Sequence, residues 1–200
     1  DDEFLILYKH ETVVDFLEEY LVKGSSLSIN WRLFGSSNKT RYAPLPVTYR
    51  FQFREEEVDP RVKVFVRPQD FVRMCTPAHS VLLKGQGNNN NETTAEPDVV
   101  ERVGWRDTSK QIQVMPQNGL ENPSKPSDIA VIHHYKYKSH EEWNYKSCIR
   151  KDVSRATIKG GTKNCGSQEI PTGTIQDTTA WDLLTRKVPR YSLFEDFPEY

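Results

Sequence analysis

Between Asp2 and Phe34 the apolar residues change their spacing and change it back, and this constrains the fold more than any other feature of the chain. Asp2 to Leu7 is a short apolar run with acids at its head, the pattern of the end of a buried strand. Val13, Val14, Phe16, Leu17, Tyr20 and Leu21 then recur at helical spacing, with Asp15, Glu18 and Glu19 between them. Thr12 is a suitable N-cap and Gly24-Ser25-Ser26 a stop, which predicts a helix over 12–22. Leu27 to Phe34 reads as a strand again, closed by the turn residues Gly35-Ser36-Ser37-Asn38. A strand, a helix and a strand in that order commit the chain to a mixed α/β architecture.

The rest of the chain continues that pattern. Arg61 to Arg67 reads as a strand with its basic residues outward, and Ala130 to Tyr135 as a buried strand ending in polar chemistry. Ser139 followed three residues later by Glu142 is a capping box, predicting a helix to about Arg150. Val47 to Phe53, after Pro44 and Pro46, alternates apolar and polar residues as a strand would. Phe71 to Leu83 is an apolar stretch around Pro77-Ala78-His79-Ser80, and residues 85–97, with Asn88 to Asn91 in a row, read as a polar insertion. Residues 98–128 are broken by Pro116, Gly119, Pro123 and Pro126 into loops and brief strands. Lys146, Arg150, Lys151, Arg155, Lys159 and Lys163 gather around a Gly-rich segment, and the tail from Pro171 holds one short helix near Ala180–Leu184.

Length and composition limit what this chain can do. Its 200 residues suffice for one domain with a real core or for two very small ones, and 11% aromatic residues argue against disorder of the whole. A net charge of −1 provides no overall pull toward nucleic acid or anionic lipid. No apolar run is long enough to span a membrane, and no secretory leader is visible. The chain opens on Asp1-Asp2-Glu3 without Met, so the beginning of the protein is expected upstream. Asn38-Lys39-Thr40 and Asn91-Glu92-Thr93 fit the N-glycosylation pattern, pointing toward the secretory pathway. Cys75, Cys148 and Cys165 are too few for a disulfide scaffold. Cys148 and Cys165 either close one loop or stay as thiols, and their spacing does not choose.

Three segments carry residues suited to chemistry. The acids at Asp1-Asp2-Glu3 lie where open α/β sheets bind ligands and suit a hard divalent cation, although a solvated turn would look the same. His133 and His134, adjacent on a strand, point to opposite faces, so at most one serves a given site, with Lys136 and Lys138 nearby for phosphate. Trp31 beside the turn at Gly35 to Ser37 is a combination that stacks sugar rings, and equally an ordinary core aromatic.

Taken in order, Asp2-Glu3-Phe4, Trp31 with Phe34-Gly35-Ser36-Ser37, Pro77 with His79, and His134-Tyr135 with Lys138-Ser139 resemble glycosyltransferase family 92 and related GT-A-fold enzymes, formerly domain of unknown function 23. The resemblance covers about residues 1–155, with 156–200 as a C-terminal tail. It implies a mixed-sheet GT-A-like α/β fold, of which this chain would be the C-terminal, metal- and acceptor-side portion. It also makes a helix an alternative for 47–53. Asp2 looks like the second Asp of the family's metal-binding D-x-D motif and Asp1 like its middle position, which puts the first Asp upstream. His134 looks like the imidazole added to the metal shell. Asp1, Lys138 and Ser139 would lie at the donor diphosphate, and Trp31, Phe34, Gly35, Ser36, Ser37 and His79 would form the sugar or acceptor pocket. The family's Pro-His pair is adjacent, whereas His79 comes one residue late, which puts its role in doubt.

The activity implied is transfer of a hexose, galactose for example, from a nucleotide-sugar such as a UDP-sugar to a glycan or glycoprotein acceptor. The implied cofactor is Mn2+ or Mg2+, the implied location the Golgi lumen, and the implied membrane anchor a segment upstream of this chain. No nucleic-acid partner is expected. An inverting transfer needs a carboxylate base, which no feature of the sequence selects among Glu18, Glu19, Glu55 to Glu57, Glu141 and Glu142. The alternative is a non-catalytic carbohydrate- or partner-binding module, and a third reading is an unrelated metal-dependent hydrolase using Asp2 and His134.

Overall fold

A computed structural model describes residues 2–76, 79–84, 105–110, 120–150 and 169–196. The polar insertion at 85–97, Asp1, Pro77, Cys165 and the basic segment 151–168 lie outside the described residues. Strand β1 is Glu3–Leu7, with Ile6 buried. Helix α1, Val13–Tyr20, starts where expected: the Thr12 hydroxyl accepts the Asp15 N–H at 3.1 Å, and Phe16 and Tyr20, one turn apart, are buried. Strand β2 is Ser26–Leu33, buried on both faces through its first six residues. The alternating Ser28 and Asn30 tolerate burial because Ser28 donates to the Arg106 carbonyl and the Asn30 amide donates to the Asp59, Pro60 and Asn122 carbonyls.

The alternation at 47–53 does not make a strand. Pro46 caps a single turn, α2 (Val47–Arg50), and only Phe53–Arg54 is extended, as β3. Proline fixes φ at a value that a helix start accepts, and the Tyr49 and Arg50 N–H groups both donate to the Pro46 carbonyl. Strand β4 (Asp59–Val66) is followed by β5 (Phe71–Thr76) and β6 (Ser80–Leu83), and then by β7 (Trp105–Arg106) and β8 (Ala130–His134). Helix α3, His140–Asn144, has the predicted capping box and runs on as one π-helical segment, Tyr145–Ile149. The two-residue strand β9 (Ile175–Gln176) precedes α4, Thr179–Lys187, which is longer than the helix expected near 180–184. A 3-10 segment, Pro189–Asp196, follows it.

The largest sheet has the order β1-β8-β2-β4, with β7 also beside β2. It is mixed: β2 is antiparallel to β4 and parallel to β7. The α/β class with a mixed sheet therefore holds. Strand β8 lies between two neighbours and all five of its residues are buried, His133 and His134 included. Among the described residues no helix is long and apolar enough to cross a membrane.

The chain divides into two compact units, one of Asp1–Phe4, Arg32–Glu57 and His133–Tyr200, the other of Leu5–Trp31 and Val58–Ile132. In the first, Phe34 packs on Tyr135 and His133 with ring centroids 4.5 and 4.7 Å apart, and β3 pairs antiparallel with β9. In the second, Phe16, Leu27, Ile29 and Val62 are core, and β5 and β6 form an antiparallel hairpin. Cys148 is disulfide-bonded and Cys75 is a free, exposed thiol.

Candidate metal and donor site

The first unit gathers most of the polar residues singled out in the sequence. The Tyr135 N–H donates to the Asp2 carbonyl at 2.7 Å, which ties the residue before β1 to the residue after β8. Glu3 and His134, the outer residues of those strands, thereby face one another, with Glu3 Oε1 3.7 Å from His134 Nε2. The Asp2 carboxylate accepts a hydrogen bond from Lys146 Nζ at 2.8 Å. Burial acts to raise the Asp2 carboxyl. The Lys146 hydrogen bond, with the charges of Lys146, His134 and Lys138, outweighs it and holds Asp2 below the ordinary carboxylate value.

Lys138 sits in the loop between β8 and α3 with a left-handed φ of 58°. Its pKa is lowered, first by burial and then by Lys146 and Arg50, with Asp2 and Glu142 opposing. Ser139 is fully buried: its hydroxyl accepts the Glu142 N–H, and both its N–H and its O–H donate to Glu142 Oε2. The same carboxylate takes a bidentate pair from Arg50 at 2.7 and 3.0 Å. Burial pushes Glu142 up, but Arg50 and Ser139 leave it lowered.

The block Phe34-Gly35-Ser36-Ser37 lies in a three-way backbone junction. The Gly35 N–H donates to Phe53, Ser36 to Pro171 and Ser37 to Thr172, while the Ser37 hydroxyl accepts the N–H groups of Gln52 and Phe53. A Cβ on Gly35 would overlap the backbone of Thr172 and Gly173, so the glycine is required by close approach. Trp31 and His79 belong to the second unit. Their rings are 5.4 Å apart, His79 Nδ1–H donates to the Val62 carbonyl, and Arg61 and Lys63 lie 5.1 and 5.4 Å from the Trp31 ring centroid. Asn38, of the first glycosylation triplet, is exposed in a turn at φ 59°.

The structure thus brings Asp2, Glu3, His134 and Lys138 together and adds Lys146 and Glu142, which the sequence reading had not placed at this site. Lys146 is 144 residues from its partner Asp2. The available signal was helical spacing: Glu142 and Lys146 are four apart on the helix that Ser139 caps. A buried polar cluster in the same unit was also missed. Asp177 accepts from Arg54 Nε at 2.9 Å, with Arg32 at 3.7 Å and His133 Nε2 at 3.8 Å. Among the described residues no group of three or more His, Cys, Asp or Glu is placed to hold a metal.

The fold and this site define a mixed α/β chain with a carboxylate–imidazole–ammonium cluster at the ends of adjacent strands. Compared with known protein families, with curated proteins and with solved structures, the chain has no match in any of the three.

Proposed function

We propose that this chain is part of a metal-dependent glycosyltransferase that moves a hexose from a nucleotide-sugar, a UDP-sugar for instance, to a glycan acceptor. The carrying observation is the meeting of Glu3 and His134 at 3.7 Å beside the Asp2 carboxylate, with the cations Lys138 and Lys146 around them. Oxygen and imidazole donors in a small set suit Mn2+ or Mg2+, ions that keep several non-protein ligands and take phosphate oxygens among them. Asp2 and His134 would hold the ion, and when bound it would offset the charge that grows on a departing diphosphate. Lys138 and Lys146 orient and neutralise the phosphates by charge alone. Asn38, exposed on a turn, is a fitting glycan acceptor for a protein of the secretory lumen.

The 2.8 Å pairing of Lys146 with Asp2 favours a second reading, a non-catalytic carbohydrate- or partner-binding module in which the ammonium stands where a metal would. Titration of the chain with Mn2+, followed by UDP-hexose hydrolysis on the full-length parent, separates the two. Saturable Mn2+ binding lost in Asp2→Asn and His134→Ala, with metal-dependent hydrolysis, supports the transferase. The absence of both Mn2+ binding and hydrolysis overturns it.

A further inference from the structure

A cavity of about 470 Å³ in the first unit is lined by alternate residues from Ser37 to Leu45 and by Tyr49, Arg50, Gln52 and Phe53. That volume is in the range of small-molecule sites. Its charged lining has one sign: Lys39, Arg41 and Arg50, with no acidic residue. Arg50 is committed to Glu142 and to the Leu45 carbonyl. Lys39 and Arg41 make no side-chain hydrogen bond or ion pair among the described residues. The segment that carries them is nonetheless held in place. His140 N–H donates to the Lys39 carbonyl, Glu141 N–H to the Thr40 carbonyl, and Tyr42 N–H to Glu141 Oε2 at 2.7 Å. The Glu141 carboxylate thus accepts from the backbone of this segment and pairs with neither cation's side chain. On the wall, Tyr49 is braced by Trp181, with ring centroids 5.0 Å apart.

We propose that this cavity is a recognition subsite for an acidic monosaccharide, a sugar ring bearing a carboxylate or a phosphate ester. The planar guanidinium of Arg41 matches either group with two parallel hydrogen bonds, and Lys39 adds a compact charge. Tyr49 offers an aromatic face to the ring, and Ser37 and Gln52 offer polar atoms to its hydroxyls. The inference stands apart from glycosyl transfer, since it uses neither Asp2 nor His134.

The test is titration of the chain with glucuronate, glucose 6-phosphate, glucose and inorganic phosphate by calorimetry or ligand-observed NMR. Either acidic sugar should bind about tenfold or more tighter than glucose and than phosphate, as charge-assisted hydrogen bonds added to ring contacts require. The double variant Lys39→Ala/Arg41→Ala, with an unchanged circular-dichroism melt, should lose about tenfold. Asp2→Asn should bind the acidic sugars as the wild type does. Phosphate binding as tightly as the acidic sugars, loss of binding in Asp2→Asn, or no binding of either acidic sugar each overturns the proposal.

Discussion

Lys146 Nζ stands 2.8 Å from Asp2 Oδ2 and joins the π-helical segment after α3 to the residue just before β1. The pair is partly exposed, at 25% and 31% of side-chain surface, so its worth to stability is small, below about 1 kcal/mol. Its main effect is on the acid's charge state.

Replacing Lys146 by Met should therefore raise the Asp2 pKa toward its ordinary 3.8, read by carboxyl NMR titration. A lowered carboxyl stabilises the fold above the unfolded value and loses that contribution as pH falls through the folded one. The stability difference between wild type and K146M should accordingly be level at neutral pH and vanish in acid. A difference that persists unchanged at the lowest pH reached would show that the pair acts by packing instead.

The Arg50–Glu142 pair is largely buried, at 8% and 18% of side-chain surface. Arg50→Met removes one partner and leaves Glu142 half-desolvated, a loss of about 3 kcal/mol in urea unfolding. Ser139→Ala removes the cap together with the hydroxyl's hydrogen bond to Glu142 Oε2 and should cost about 1 kcal/mol. Similar costs for both would mean that Arg50 contributes little beyond the capping box.

Gly35→Ala drives a methyl group into the backbone of Thr172 and Gly173 and should cost about 3 kcal/mol or prevent folding of the first unit. Gly24 has φ +74° but open space around it, so Gly24→Ala should cost only about 1 kcal/mol. Thermal melts of the two variants make the comparison, and equal melting temperatures would refute the junction.

His133 is fully buried beside Asp177, Arg32 and Arg54, and burial pushes its pKa down to about 4, with Asp177 opposing and the two arginines adding. At neutral pH it is an uncharged ring, so the carboxylate of Asp177 is balanced by the arginines. The unfolded chain takes up the proton near 6.5, the folded one near 4, so stability is complete above 6.5 and falls as pH drops toward 4. The loss is on the order of 3 kcal/mol. Chemical denaturation between pH 7 and 4 measures it, and His133→Phe should flatten the slope.

Much of the local structure was legible in the residues. Thr12 and Ser139 cap the helices they were expected to cap, because a hydroxyl that satisfies an orphan N–H acts within three residues. The alternation of Val47 to Phe53 misled because proline geometry at Pro46 outweighs a period-two pattern of seven residues. Of the candidate site, Asp2 and His134 were legible by type and strand position. Lys146 and Asp177 were not, since nothing local distinguishes them from other charged residues.

The amino-acid sequence by itself determined the α/β class and the caps of α1 and α3, because these follow from side-chain chemistry over a few positions. Only the tertiary structure decided what each polar residue answers to. Lys146 meets Asp2, Arg50 meets Glu142, and the Gly35 turn receives Pro171 to Gly173. Each contact joins segments far apart in sequence, where pairing depends on how strands and loops return to one another.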